Sequence, residues 1–139
     1  MQVKHLDHLN LTVENFEESV NWYRRVFGFE LAEKGIDNGE IWGVIRSGDA
    51  LLCIYQKPGF NALTHDEARA RKLHTIRHFG LRITDKQAWE ETMKRENIQL
   101  GFGKYEYPHS TSWYLYDPTG HEIEVACWKE DKIAFPSNE

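Results

Sequence analysis

Two histidines and a glutamate stand out as residues that can do chemistry together: His8, which opens HLNLTV, His78, which opens HFGLRI, and Glu124 in HEIEVACW. The two histidine runs match. Each places Leu three residues on (Leu11, Leu81) and then a β-branched residue (Val13, Ile83). Alternation along an extended chain puts His8, Asn10 and Thr12 on one face with Leu9, Leu11 and Val13 behind, and sets His78, Gly80, Arg82 and Thr84 against Phe79, Leu81 and Ile83. In the closing run Glu122, Glu124, Ala126 and Trp128 share one side, and Ile123, Val125 and Cys127 the other. The apolar sides must cover helices, so the polar sides line something else. Glu124 then joins His8 and His78 as two imidazoles and one carboxylate converging on a cavity. Such a set suits a divalent metal, because the three donors take adjoining positions and leave others to water or substrate. Fe(II), Mn(II), Zn(II), Ni(II) and Co(II) all accept these ligand types, and geometry and supply choose among them.

A lone histidine on a strand is more often structural than metal-bound, but two at equivalent places, with a carboxylate on a later strand, are not independent accidents. His5 competes with His8, yet only His8 keeps the register that aligns Leu11 with Leu81. His121 falls on the Ile123 side and reads as local or exposed. Glu122 sits at the strand mouth, where solvent, Arg82 or substrate are its expected partners. For Arg82 an ion pair is favoured over recognition of an anionic substrate group. Cys53 and Cys127 lie in apolar runs without C-x-x-C spacing and read as reduced, buried thiols.

The elements that position these residues repeat. After the first histidine run, Asn15 is an N-cap with Glu18 three residues later, and Phe16, Val20, Tyr23 and Phe27 form the apolar stripe of a helix ending before Gly28. After the second, Asp85 caps a helix that turns Trp89 and Met93 to one side and frays near Asn97. Strands follow in EIWGVIRS and ALLCIYQ, joined by Gly48-Asp49, and in SWYLYD and HEIEVACW, joined by PTG. Each half therefore reads βαβββ, an α+β module duplicated within one domain, 1–139. Module 1 covers about 4–57, a linker about 58–75, module 2 about 76–128 and a charged tail 129–139. The linker carries helical character from Thr64 to Leu73 and is the expected mobile element. In the tail, Ile133 to Pro136 form a small apolar knot that packs on a neighbour or frays. Trp22, Tyr23 and Phe27 are read as core or dimer contact; Trp42, Tyr55, Trp113 and Trp128 are candidates for an apolar mouth above the metal.

A chain of 139 residues with 40% hydrophobic and 13% aromatic content builds one real core. The formal charge of −5, with Lys and Arg interspersed, argues against a nucleic-acid partner. No apolar run approaches a membrane span, and MQVKHLDHLN lacks a secretory core, so a cytoplasmic protein acting on a small molecule is expected.

Together LDHLNLTV, FEESVNWYRRVFGFEL, HFGLRI and YLYDPTGHEIEV resemble the vicinal oxygen chelate superfamily of glyoxalase I, extradiol dioxygenases, fosfomycin-resistance transferases and bleomycin-resistance proteins. The resemblance covers roughly residues 4 to 128. It implies paired βαβββ modules in a curved half-open barrel around a metal site, a homodimer, and metal ligands at His8, His78 and Glu124, with Fe(II) or Mn(II) favoured. Relatives of glyoxalase I carry a fourth, carboxylate ligand where this chain has Cys53, and packing is the favoured reading of that cysteine. The ligand set instead resembles the ring-cleavage dioxygenases and fosfomycin enzymes. By resemblance to the dioxygenases, Tyr114, ten residues before Glu124, assists catalysis, with a cavity-wall aromatic as the alternative. His65 and His74 are loosely placed for the acid–base histidine of that group. The implied function is a metal-dependent enzyme acting on a substrate with vicinal oxygens, most like an extradiol dioxygenase. The alternatives are a glyoxalase-like lyase, a thiol transferase, or a bleomycin-resistance-like dimer that sequesters a ligand without turnover.

Overall fold

The first helix begins where its cap demands. In the computed structural model, which describes residues 1–73 and 76–135, Asn15 accepts a hydrogen bond from the Glu18 backbone N–H, and Phe16–Phe27 forms α1. Gly28, at φ 68°, closes the helix in the left-handed region that glycine enters without steric cost. Before α1 runs β1 (Leu9–Val13), and after it come β2 (Glu30–Asp37), β3 (Glu40–Ser47) and β4 (Ala50–Gln56). The sheet order is β1-β4-β3-β2, with β1 parallel to β4 and the other pairs antiparallel. Phe16, Val20, Tyr23 and Val26 of α1 are buried, as are Leu11, Val13, Ile45, Leu52 and Ile54 of the strands. Gly43 of β3 lies so close to the Phe16 ring and the Glu33 carbonyl, 2.7 Å from where a Cβ would stand, that no side chain fits.

The second half repeats this plan. The strand β5 (Phe79–Ile83) leads through Asp85, which accepts from the Ala88 N–H, into α3 (Lys86–Arg95). There follow β6 (Leu100–Glu106), β7 (Ser110–Tyr116) and β8 (Glu122–Trp128), in the order β5-β8-β7-β6. Trp89, Trp113, Leu115, Ile123 and Val125 are its buried apolar residues. Between the halves lies α2 (His65–Ala70), started by a reciprocal capping box of Thr64 and Glu67. Compactness divides the chain into two units, 1–62 and 63–139, so α2 goes with the second. Among the described residues no helix is long and apolar enough to cross a membrane.

Several expectations are refined. The run SWYLYD begins two residues earlier, at Ser110, because Ser110 and Thr111 pair with Trp128 and Cys127, and it ends before Asp117. Trp113 lines no mouth: it shares the Leu115 side of β7, is fully buried, and meets the Trp89 ring edge-on at 6.4 Å. Both cysteines are free but half-buried, not fully buried. Arg82 forms the expected ion pair, with Asp131 at 2.5 Å. Phe135 of the tail packs edge-on against Trp128 at 5.8 Å; Pro136 lies outside the described residues.

Candidate functional site

The turn that precedes β8 determines which residues β8 offers. Buried Asp117 accepts the backbone N–H groups of Thr119, Gly120 and His121 on one oxygen at 2.9 to 3.0 Å. Gly120 takes φ 102°, a value that side chains strongly resist. From this fixed start, β8 runs with Ile123 and Val125 buried and with Glu122 and Glu124 on the other face. Register then brings partners from both sides: Gly80 of β5 stands opposite Glu124, and on β7 Tyr114 stands opposite Glu124 and Tyr116 opposite Glu122.

His78, one residue before β5, reaches both carboxylates. Its Nδ1 lies 3.1 Å from Glu122 Oε1, and its Nε2 lies 2.9 Å from Glu124 Oε2. The other oxygen of Glu124 accepts the Ser112 hydroxyl at 2.7 Å, and that of Glu122 accepts the Tyr116 hydroxyl at 3.3 Å. Ionised carboxylates only accept, so both contacts hold together when the ring bears a proton on each nitrogen. A divalent cation held by His78 and Glu124 would meet the same charge and leave Nδ1–H with Glu122, the outer-shell arrangement that fixes the tautomer and orientation of a metal-binding histidine. The donor set therefore fits a divalent metal.

Glu122 lines the cleft but is closed to solvent and does not meet Arg82. It is 6% exposed and is the inner anchor of the cluster, because Arg82 is engaged by Asp131 and the Tyr116 ring and His78 cover it instead. His65, the first residue of α2, donates Nε2–H to the Arg77 carbonyl at 2.7 Å, since a carbonyl can only accept. Its Nδ1 faces Glu122 Oε2 at 3.9 Å. His74 lies outside the described residues.

Tyr114 meets the His78 ring edge-on, with centroids 5.6 Å apart, and its hydroxyl lies 3.3 Å from that of Tyr107. Burial, then the Tyr107 hydrogen bond and the charge of Glu124, raise the pKa of its phenol well above the ordinary tyrosine value. It stays protonated and can donate. An open cleft of about 200 Å³ lies in front of His78 and Tyr114, walled by Phe102, Tyr105, Tyr107 and Arg77. Gly101 lies beneath the Tyr116 ring, 2.1 Å from where a Cβ would stand, so this approach requires glycine.

The third expected ligand belongs to the first unit. His8 stands one residue before β1 as His78 stands before β5, is half exposed, and has Nδ1 2.8 Å from Asp7 Oδ2. Among the described residues, no three His, Cys, Asp or Glu side chains gather around one point. The pairing of Asn10 with Cys53 mirrors that of Gly80 with Glu124, so Cys53 does occupy the place matching Glu124. Burial foremost, with the charge of Asp7, raises the Cys53 thiol above its ordinary pKa, which disfavours the metal-binding thiolate and supports packing.

Residues 5–125 match the model of the Glyoxalase/Bleomycin resistance protein/Dioxygenase superfamily. The chain belongs to this superfamily. A catechol-2,3-dioxygenase of Bacillus subtilis (strain 168) is 24% identical over 137 residues, which cover 92% of this chain and 45% of the relative. The chain thus spans less than half of that relative's length. Among solved structures, a glyoxalase family protein from Enterococcus faecalis superposes with a TM-score of 0.72 at 18% identity, covering 88% of this chain and 97% of its own. A superfamily domain from Frankia sp. EAN1pec gives 0.75 at 14% identity, covering 94% and 96%. The fosfomycin resistance protein FosX from Listeria monocytogenes, complexed with Mn(II) and sulfate, gives 0.67 at 16%, covering 92% and 95%. At these identities the superpositions establish the superfamily's α+β fold of βαβββ modules.

Two partners of the site were not assigned from sequence, Ser112 and Tyr116. Both share the Tyr114 face of β7 by strand alternation. The missing signal was register, which alone brings them beside Glu124 and Glu122.

Proposed function

We propose that the chain is a divalent-metal enzyme of its superfamily, with His8, His78 and Glu124 as ligands, acting on a small substrate that offers two oxygens on neighbouring atoms. The observation that carries this reading is the His78–Glu124 pair at 2.9 Å, with each partner held from behind by Glu122 and Ser112. When bound, the metal supplies positive charge that stabilises the anion developing on a substrate oxygen. Glu122 keeps the His78 ring turned so that Nε2 faces the ligand position. Ser112 restrains the Glu124 carboxylate in the same way. Tyr114, protonated and half-buried, donates a hydrogen bond to a substrate oxygen. The aromatic walls of the cleft exclude water from one side of the substrate.

The reaction is extradiol-like ring cleavage in this reading, with Fe(II) as its metal; Mn(II) is the next choice. The similarity to a catechol-2,3-dioxygenase and the aromatic cleft support it. The superfamily resemblance supports a homodimer and, with no membrane-spanning helix among the described residues, a cytoplasmic setting. Oxygen uptake by anaerobically prepared, Fe(II)-loaded protein with a panel of catechols is the test. Uptake that falls at least about a hundredfold in Tyr114→Phe, the lower end of the range for a positioned acid–base group, is expected. Ligand binding without oxygen uptake would replace this reading with a sequestering protein.

A further inference from the structure

Beyond the metal and the vicinal oxygens, the cleft carries its own recognition chemistry. We infer that the substrate is a planar aromatic ring bearing an anionic substituent, recognised by the Phe102, Tyr105 and Tyr107 rings and by the Arg77 guanidinium. The inference rests on the proposed site at His78 and names what that site receives.

Phe102, Tyr105 and Tyr107 are large aromatic residues left 55%, 42% and 43% exposed on one cleft. They are held by one another. Tyr105 stacks on Tyr107 at 6.4 Å with planes 21° apart, Phe102 tilts on Tyr105 at 6.3 Å, and both Phe102 and Tyr105 meet Tyr114 edge-on at 6.1 and 5.8 Å. Tyr114 in turn touches the His78 ring, so the aromatic wall continues to the proposed metal ligand without a gap. Such a wall offers offset and edge contacts to a flat ring and little to a small aliphatic molecule.

Charge sets the second requirement. Among the described residues, Glu122 is the one acidic residue of the cleft lining, and it is already satisfied by His78 and Tyr116. Arg77 is the cationic residue on the rim, its guanidinium carbon 6.0 Å from the Phe102 ring centre. A guanidinium laid beside an aromatic face presents a planar fork, the geometry that suits a carboxylate on a ring stacked against the same wall. A neutral catechol would leave that donor array unused.

The test compares 3,4-dihydroxybenzoate with 1,2-dihydroxybenzene by anaerobic calorimetry on metal-loaded protein, wild type beside Arg77→Gln and Arg77→Lys. Both probes carry vicinal hydroxyls, so only the anionic group differs. Wild type is expected to bind the carboxylated ring about tenfold tighter, a preference that weakens with salt because Arg77 is exposed. Arg77→Gln should bring the two within about twofold, while Arg77→Lys keeps part of the preference, as expected of a point charge in place of a fork. Equal binding of the two probes by wild type, an unchanged preference in Arg77→Gln, or no binding of either ring would overturn the inference. Each of these leaves the metal reading standing if metal content is normal, whereas loss of the metal itself would count against the parent reading.

Discussion

Replacing Glu122 separates the support of the proposed metal ligand His78 from the ligand itself. Its side chain is buried, and its carboxylate holds His78 Nδ1 at 3.1 Å and accepts the Tyr116 hydroxyl at 3.3 Å. A hydrogen bond to a charged group contributes about 1.5–3 kcal/mol, and about 1.4 kcal/mol is a tenfold change in affinity. Outer-shell partners of metal-binding histidines accordingly alter affinity by about 10–100-fold. Glu122→Gln keeps an oxygen for Nδ1–H but loses the charge, so a loss of about tenfold in Mn(II) or Zn(II) affinity is expected. Glu122→Ala also leaves two donors without their acceptor and should approach a hundredfold. Competition against a fluorescent chelator gives the affinities, and thermal unfolding checks that the variants remain folded. Affinities within about twofold of wild type for both variants, in folded protein, would refute the orienting role of Glu122.

Gly43→Ala should destabilise the chain by about 1–3 kcal/mol, because the added methyl meets the Glu33 carbonyl and the Phe16 ring at 2.7 Å; urea unfolding measures it. Asn15→Ala removes the α1 cap and should cost about 1 kcal/mol in the same assay. For Glu106, hydrogen bonds from Thr111 and Lys86 hold the carboxyl at about 2, below its ordinary 4.5. A lowered folded-state pKa stabilises above the unfolded value and loses that stabilisation as pH falls through the folded one. The urea midpoint difference between wild type and Glu106→Gln should therefore shrink as pH drops from 4.5 to about 2, and a difference that grows would contradict the assignment.

The parts of the fold legible in the sequence are those written in local chemistry. Asn15, Asp85 and Gly28 announce the helix ends, and the apolar alternation of EIWGVIRS and ALLCIYQ coincides with β3 and β4. The strands β2 and β6 were implied by the module but not located. ELAEKGID is exposed along nearly its whole length, and LGFGKYE carries two glycines; each pairs through a register shift, so neither shows a clean period of two. At the site, alternation sets Glu122 and Glu124 on one face of β8, and the same period puts Ser112, Tyr114 and Tyr116 on one face of β7. It could not say that Glu122 turns inward, because that follows from the parallel pairing of β5 with β8, which sets His78 beside it. The cleft walls at Tyr105 and Tyr107 are not legible for a related reason: the register shift between Leu100 and Gly103 sets which residues of β6 meet β7, placing Tyr105 opposite Ser112, and Tyr107 lies just beyond the strand.

The central claim is that this chain holds a divalent metal through His78, Glu124 and His8. Elemental analysis of protein purified at low oxygen without added metal or chelator, beside Glu124→Ala, His78→Ala and His8→Ala, tests it most directly. About one equivalent of metal per chain, lost in each variant, is predicted. No metal in the native protein, and no uptake when Fe(II), Mn(II), Zn(II), Ni(II) and Co(II) are each offered, would contradict the account.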